Sequence, residues 1–106
     1  RITEYLYRHY SEPVTLKTLA ADFNMNYSCL SSYFSSHMGQ GINEFLNSVR
    51  VEKAKELLAA SELSLSEIAQ EIGYTDQSYF GKVFKKQTGY SPHTYRNRAK
   101  RRGETL

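Results

Sequence analysis

The chain states one pattern twice. Leu16-Lys-Thr-Leu-Ala-Ala-Asp-Phe23 runs into a short turn and then Leu30, Phe34 and Gly39; Leu65-Ser-Glu-Ile-Ala-Gln-Glu-Ile72 runs into a turn and then Phe80, Phe84 and Gly89. Ala20 and Ala69 are 49 positions apart, whereas Leu30 and Phe80, Phe34 and Phe84, and Gly39 and Gly89 are each 50 apart. The single-residue difference must fall in the turn between the two helices of a unit. A repeat of this kind is one supersecondary unit used twice. Each copy has a short amphipathic helix, a tight turn and a second helix, so the unit reads as a helix-turn-helix.

No stretch alternates apolar and polar residues long enough to demand a strand, and the periodicity predicts an all-α chain. Seven helices follow. Helix one covers about 1–10 and ends at Ser11-Glu-Pro13. Thr15 is an N-cap candidate for helix two, 16–23. Helix three runs over 27–37 with Leu30, Tyr33 and Phe34 inward, and Gly39 fits a position just past a helix end. Helix four, 42–60, is the longest and joins the two repeats. Ser64-Leu-Ser-Glu67 matches a capping box at the start of helix five, 65–72. Helix six, 76–87, turns Phe80, Val83 and Phe84 inward. Ser91-Pro92 opens helix seven. The expected organisation is a helix-turn-helix subdomain over 1–40, a linker helix over 41–60, a second subdomain over 61–102 and a disordered tail at 103–106.

A chain of 106 residues can bury a modest core, roughly two thirds of the unfolded surface. No apolar run approaches the ~20 residues of a membrane span. The opening Arg-Ile-Thr-Glu lies in a predicted helix and shows no signal peptide, and a start without Met suggests a fragment of a longer, cytoplasmic protein. The single cysteine, Cys29, excludes an internal disulfide and fits a reducing compartment; it is expected half-buried in helix three. It cannot supply a zinc site, and His9, His37 and His93 lie too far apart to pair on one helix. There is no phosphate-binding glycine loop, no Gly-x-Ser-x-Gly elbow and no His-Glu-x-x-His, so neither enzyme chemistry nor a cofactor is expected. Of the nine tyrosines, Tyr74, Tyr90 and Tyr95 are expected to pack at helix ends.

Charge is uneven along the chain. Residues 82–102 hold eight Lys or Arg and no Asp or Glu, while residues 18–49 hold no Lys or Arg. A basic C-terminal surface of this kind attracts phosphate. On helix six, Asp76, Gln77, Gly81 and Lys82 lie near the exposed side. Gln can bond two edges of adenine, and Lys can bond guanine or phosphate. On helix three the exposed set is serine, which can bond bases or phosphates but discriminates weakly.

The stretch Ser64-Leu-Ser-Glu-Ile-Ala-Gln-Glu-Ile-Gly-Tyr-Thr-Asp-Gln-Ser-Tyr-Phe-Gly-Lys-Val-Phe-Lys-Lys-Gln-Thr-Gly-Tyr-Ser-Pro-His-Thr-Tyr-Arg96 closely resembles the signature of the AraC/XylS family of bacterial transcription regulators. Arg50-Val-Glu-Lys-Ala-Lys-Glu-Leu-Leu58 is similar to that family's linker helix. The resemblance covers about residues 1–99 and implies two homeodomain-like helix-turn-helix subdomains that bind double-stranded DNA, with helices three and six in successive major-groove segments. By matching positions it implies base contacts from Ser28, Ser31, Ser32, Gln77, Ser78, Gly81 and Lys82. It assigns Arg50 and Arg96 to phosphate or to structural ion pairing. Lys85 and Lys86, in the basic segment, are expected either to contact phosphate or to solvate the helix face. The resemblance also implies an effector or receiver domain missing from this chain. The serines of helix three depart from the family pattern, and weak base discrimination is expected from that helix. Two other readings compete. One is a helical interaction module that recruits RNA polymerase or another partner; the other is a nonspecific architectural binder, marked by steep salt dependence without sequence preference.

Overall fold

The computed structural model describes residues 2–105, with side chains for 2–101. It contains α1 (Ile2–His9), α2 (Leu16–Asp22), α3 (Tyr27–Met38), α4 (Ile42–Ala60), α5 (Leu65–Glu71), α6 (Gln77–Thr88) and α7 (Pro92–Thr105), and no strand among the described residues. The expected tail at 103–106 falls where α7 continues to Thr105; Leu106 and the side chains from 102 onward lie outside the described residues. The chain divides into two compact units, Arg1–Val49 and Arg50–Leu106, at a boundary inside α4.

Each unit has its own core. In the first, Leu6, Leu19, Leu30 and Phe34 are sealed from solvent together with Ile2, Ala20, Ile42, Phe45, Leu46 and Val49. Phe34 meets Phe45 edge-on at 5.6 Å. In the second, Val51, Ala54, Leu58, Ile68, Ile72, Phe80 and Phe84 are buried beside Ala69 and Tyr74. The Phe80 and Phe84 rings meet at 5.8 Å, and Tyr95 packs edge-on against Phe84 at 5.4 Å. Full burial of one such ring stabilises by about 2–3 kcal/mol. Tyr33, expected inward, is instead 50% exposed. It sits beside the Leu30–Phe34 stripe and lies against His37 at 4.1 Å.

Local chemistry starts and stops the helices. Thr15 caps α2, with Thr15 and Thr18 each accepting from the other's backbone N–H at 3.1 Å. Ser64 and Glu67 do the same for α5, at 3.1 and 2.8 Å. Asn26 caps α3, its Oδ1 accepting from Ser28 N–H at 2.9 Å. Asp76, expected as the first residue of helix six, is its N-cap instead. Its carboxylate holds Ser78 N–H at 2.9 Å, and the helix begins at Gln77. Gly39 and Gly89 close α3 and α6 in the left-handed conformation.

The turn inside each unit follows one design. Met25 N–H donates to Ala20 C=O and Tyr74 N–H donates to Ala69 C=O, both at 2.8 Å. Asn24 and Gly73 donate to Ala21 and Gln70 at 3.1 and 3.2 Å. This is the paired closure of a Schellman motif, which requires a left-handed residue at the turn. Asn24 supplies it at φ 54° and Gly73 at φ 104°. The units stay in register through Met25 and Tyr74 and resume one residue later at Asn26 and Asp76. Thr75 is therefore the extra residue that the repeat spacing requires.

Two predictions test this local account. Gly73→Ala places a Cβ in the left-handed region and should cost about 1–2 kcal/mol, read by chemical denaturation. The Glu67 carboxyl is held below the usual carboxylate range by the Ser64 backbone N–H and then the Ser64 hydroxyl. A group lowered in the folded state stabilises above its unfolded pKa and loses that contribution as pH falls through its folded value. Acid titration of stability should therefore show a component that disappears in Glu67→Gln.

Candidate nucleic-acid interface

Helix α6 is sealed on one side by Phe80 and Phe84 and open on the other. Ser78, Lys82 and Lys85 recur at i, i+4 and i+7, and Tyr79, Lys82 and Lys86 at i, i+3 and i+7. Both rows lie on one helix face, and all five side chains are exposed. Gln77 is exposed at the first helical position, and Gly81 is half-buried at the margin. A methyl group added at Gly81 would meet no atom within 4 Å. Tyr79 is absent from the set expected from sequence, although it is 50% exposed on this face and its ring meets Tyr74 at 5.7 Å. Its spacing from Lys82 and Lys86 is the signal that could have found it.

Helix α3 presents the same face with different chemistry. Ser28, Ser32, Ser35, Ser36 and Cys29 are exposed, and Ser31 is half-buried. The half-buried state expected for Cys29 does not hold, because position 29 falls on the open side, the counterpart of Tyr79. At the 50-residue offset Ser32 matches Lys82, Ser35 matches Lys85 and Ser36 matches Lys86. Every lysine of the α6 face is thus a serine on α3. The charge of the units follows: residues 1–49 hold 3 Lys or Arg against 4 Asp or Glu, and residues 50–106 hold 11 against 7.

The two arginines considered for phosphate contact are turned to internal work. Arg50 is 8% exposed, and its guanidinium lies 5.0 Å from the centre of the buried Tyr74 ring. Burial lowers the Arg50 pKa and pushes the Tyr74 hydroxyl up to about 12. The charge is held by an aromatic face instead of water. Arg96 donates from Nε to Leu58 C=O at 3.1 Å and from Nη2 to Ser61 C=O at 3.3 Å. These carbonyls lie at the C-terminal end of α4, where backbone acceptors lack helical partners and a cation is favoured.

The basic C-terminal segment is likewise partly committed. Arg98 lies over Tyr90 at 4.7 Å, and Lys100 pairs with Glu62 at 2.7 Å. Arg101 is exposed, and the Arg102 side chain lies outside the described residues. The expected helix-end packing holds for buried Tyr74 and half-buried Tyr95, whereas Tyr90 is 39% exposed beneath Arg98. Among the described residues no group of three or more His, Cys, Asp or Glu could hold a metal ion, and no helix is long and apolar enough to cross a membrane.

A family model described as a helix-turn-helix domain matches residues 19–98. The chain is 36% identical over 92 residues to the raffinose operon transcriptional regulatory protein RafR of Pediococcus pentosaceus, covering 87% of this chain and 33% of RafR. It spans about a third of the length of the relatives it matches. Among solved structures, the C-terminal domain of AraT, a response regulator from Geobacillus stearothermophilus, is 38% identical with a TM-score of 0.89, over 92% of this chain and 81% of that one. The DNA-binding domain of AdpA, a global transcriptional factor solved with a target DNA, is 29% identical with a TM-score of 0.91, over 95% and 91%.

The internal role of Arg96 separates cleanly from a phosphate role. Arg96→Ala should lower the denaturation midpoint, by about 1–3 kcal/mol of stability for its charged hydrogen bonds. The salt dependence of DNA binding by the folded variant should stay unchanged. Arg96→Lys should recover only part of the stability, because a single ammonium replaces a two-nitrogen fork.

Proposed function

The chain belongs to the AraC-type helix-turn-helix family of transcription regulators, and from that premise we propose how it reads DNA. It binds double-stranded DNA as the DNA-binding part of a regulator, with α3 and α6 entering successive major-groove segments about one helical turn apart. The observation that carries the proposal is the lysine-bearing face of α6, open opposite Phe80 and Phe84 and repeated in outline on α3. Lys82, Lys85 and Lys86 supply charge toward phosphate or guanine, and Gln77 and Ser78 supply polar contacts to base edges. Gly81 leaves room for close backbone approach. Ser28, Ser31 and Ser32 set register in the other groove.

Two features are assigned to the protein as a whole. The chain spans about a third of the relatives it matches, and AraT is named a response regulator. We assign the remainder of the protein to sensing a signal, by ligand or by phosphorylation, in the cytoplasm where its DNA lies. The interaction-module reading has no observation of comparable weight.

The decisive experiment is selection from randomised duplexes, followed by salt-titrated binding to the winner and to a scrambled control. Two enriched motifs about ten base pairs apart are expected. Equal affinity and equal salt slope on both duplexes would overturn sequence-specific reading.

Exchanging the matched charges gives a sharper prediction. Replacing Lys82, Lys85 and Lys86 with serine should reduce the slope of log K against log salt by about 0.9 for each phosphate that is no longer neutralised. Placing lysine at Ser32, Ser35 and Ser36 should steepen it by a similar increment. Gly81→Ala should raise helix stability by up to about 1 kcal/mol while changing preference within one motif only.

A further inference from the structure

Five tyrosines are strongly exposed, and four of them lean on a neighbour. Tyr7 meets Phe45 edge-on at 5.9 Å, and Tyr33 lies against His37 at 4.1 Å. Tyr79 meets Tyr74 at 5.7 Å, and Tyr90 lies beneath Arg98 at 4.7 Å. Tyr27, 56% exposed, has no ring, cation or side-chain hydrogen-bond neighbour among the described residues. It is the first residue of α3, directly after the Asn26 cap. At the repeat offset of 50 it stands where α6 carries Gln77. In a helix-turn-helix the N-terminal residues of the second helix are those that reach base edges.

The rest of the α3 face makes Tyr27 stand out. Its other exposed groups at the reading face are the hydroxyls of Ser28, Ser32, Ser35 and Ser36 and the thiol of Cys29, with no Lys or Arg anywhere in residues 18–49. Tyr27 is the one large apolar surface at the reading end. The apolar group that a major groove offers is the 5-methyl of thymine. A tyrosine ring moves about only two torsions, so little conformational freedom is lost when it docks.

We propose that Tyr27 is a specificity-determining residue of the first unit, packing its ring against a thymine methyl in the half-site read by α3. This rests on the DNA-reading assignment above. It gives the serine face a base preference that hydroxyls alone would not supply: a T·A pair at one position, read by methyl contact.

The test uses the selected duplex with thymine replaced by uracil, one position at a time, across the α3 half-site. The substitution deletes the methyl and leaves pairing intact. Wild type should lose about fourfold in affinity at one position, the worth of one buried methyl group. Tyr27→Phe should keep that difference, and Tyr27→Ala should bind the thymine and uracil duplexes alike. Helix content and melting midpoint of the variants, measured alongside, should match wild type because the side chain is exposed. Indifference of wild type to uracil throughout the half-site would overturn the proposal, as would a thymine preference that survives in Tyr27→Ala. Failure of the underlying reading looks different: wild type would then not distinguish the selected duplex from its scrambled control.

Discussion

Two turns of helix are too short to persist alone in water, and α2 and α5 are each seven residues long. They exist because both of their ends are tied. A side-chain cap holds the first turn, and the Ala20 and Ala69 carbonyls are each taken by an N–H five residues on. The same bond that ends the short helix turns the chain into the next one. Ala at these positions adds a buried contact without bulk. The placement of Leu30 and Phe34, or of Phe80 and Phe84, in their cores is thus inherited from the turn, and so is the direction of the face that each second helix leaves open.

The two units are one architecture with two electrical characters. Residues 50–106 carry the excess of positive charge, and residues 1–49 carry a slight negative excess. In the proposed reading this divides the work. Long-range attraction belongs to the second unit, since clustered cations raise encounter rates and respond to ionic strength. Contacts made by the first unit depend on shape and short-range fit, which salt screens little. In this reading a helix without lysine adds little long-range attraction, and its contribution rests on register and on short-range fit such as that proposed for Tyr27.

What the sequence makes legible is local. The Thr15 cap, the Ser64–Glu67 box and the glycines at 39 and 89 are signals carried within a few residues, and the helix boundaries follow them to within a residue or two. The repeat spacing announces an inserted residue in one turn, and the paired hydrogen bonds identify it as Thr75. What stays hidden depends on distant partners. The internal placement of Arg50 needs the ring of Tyr74, and that of Arg96 needs carbonyls 38 and 35 positions earlier in the chain. A basic residue on a helix reads the same whether it faces solvent or a buried ring. Tyr33 and Cys29 are more exposed than their spacing suggests because they flank the Leu30–Phe34 stripe, and helical spacing does not fix how wide the covered side is.

The serine and lysine side chains that distinguish the two reading helices lie outside the packing that holds the fold. Ser32, Ser35 and Ser36 on α3, and Lys82, Lys85 and Lys86 on α6, are open to solvent, outside the cores and away from the caps. Substitution at these sites is close to invisible to folding. Once such a unit has been duplicated, each copy can drift toward a different target with little risk to the scaffold. Selection can then act on binding preference with little cost to folding.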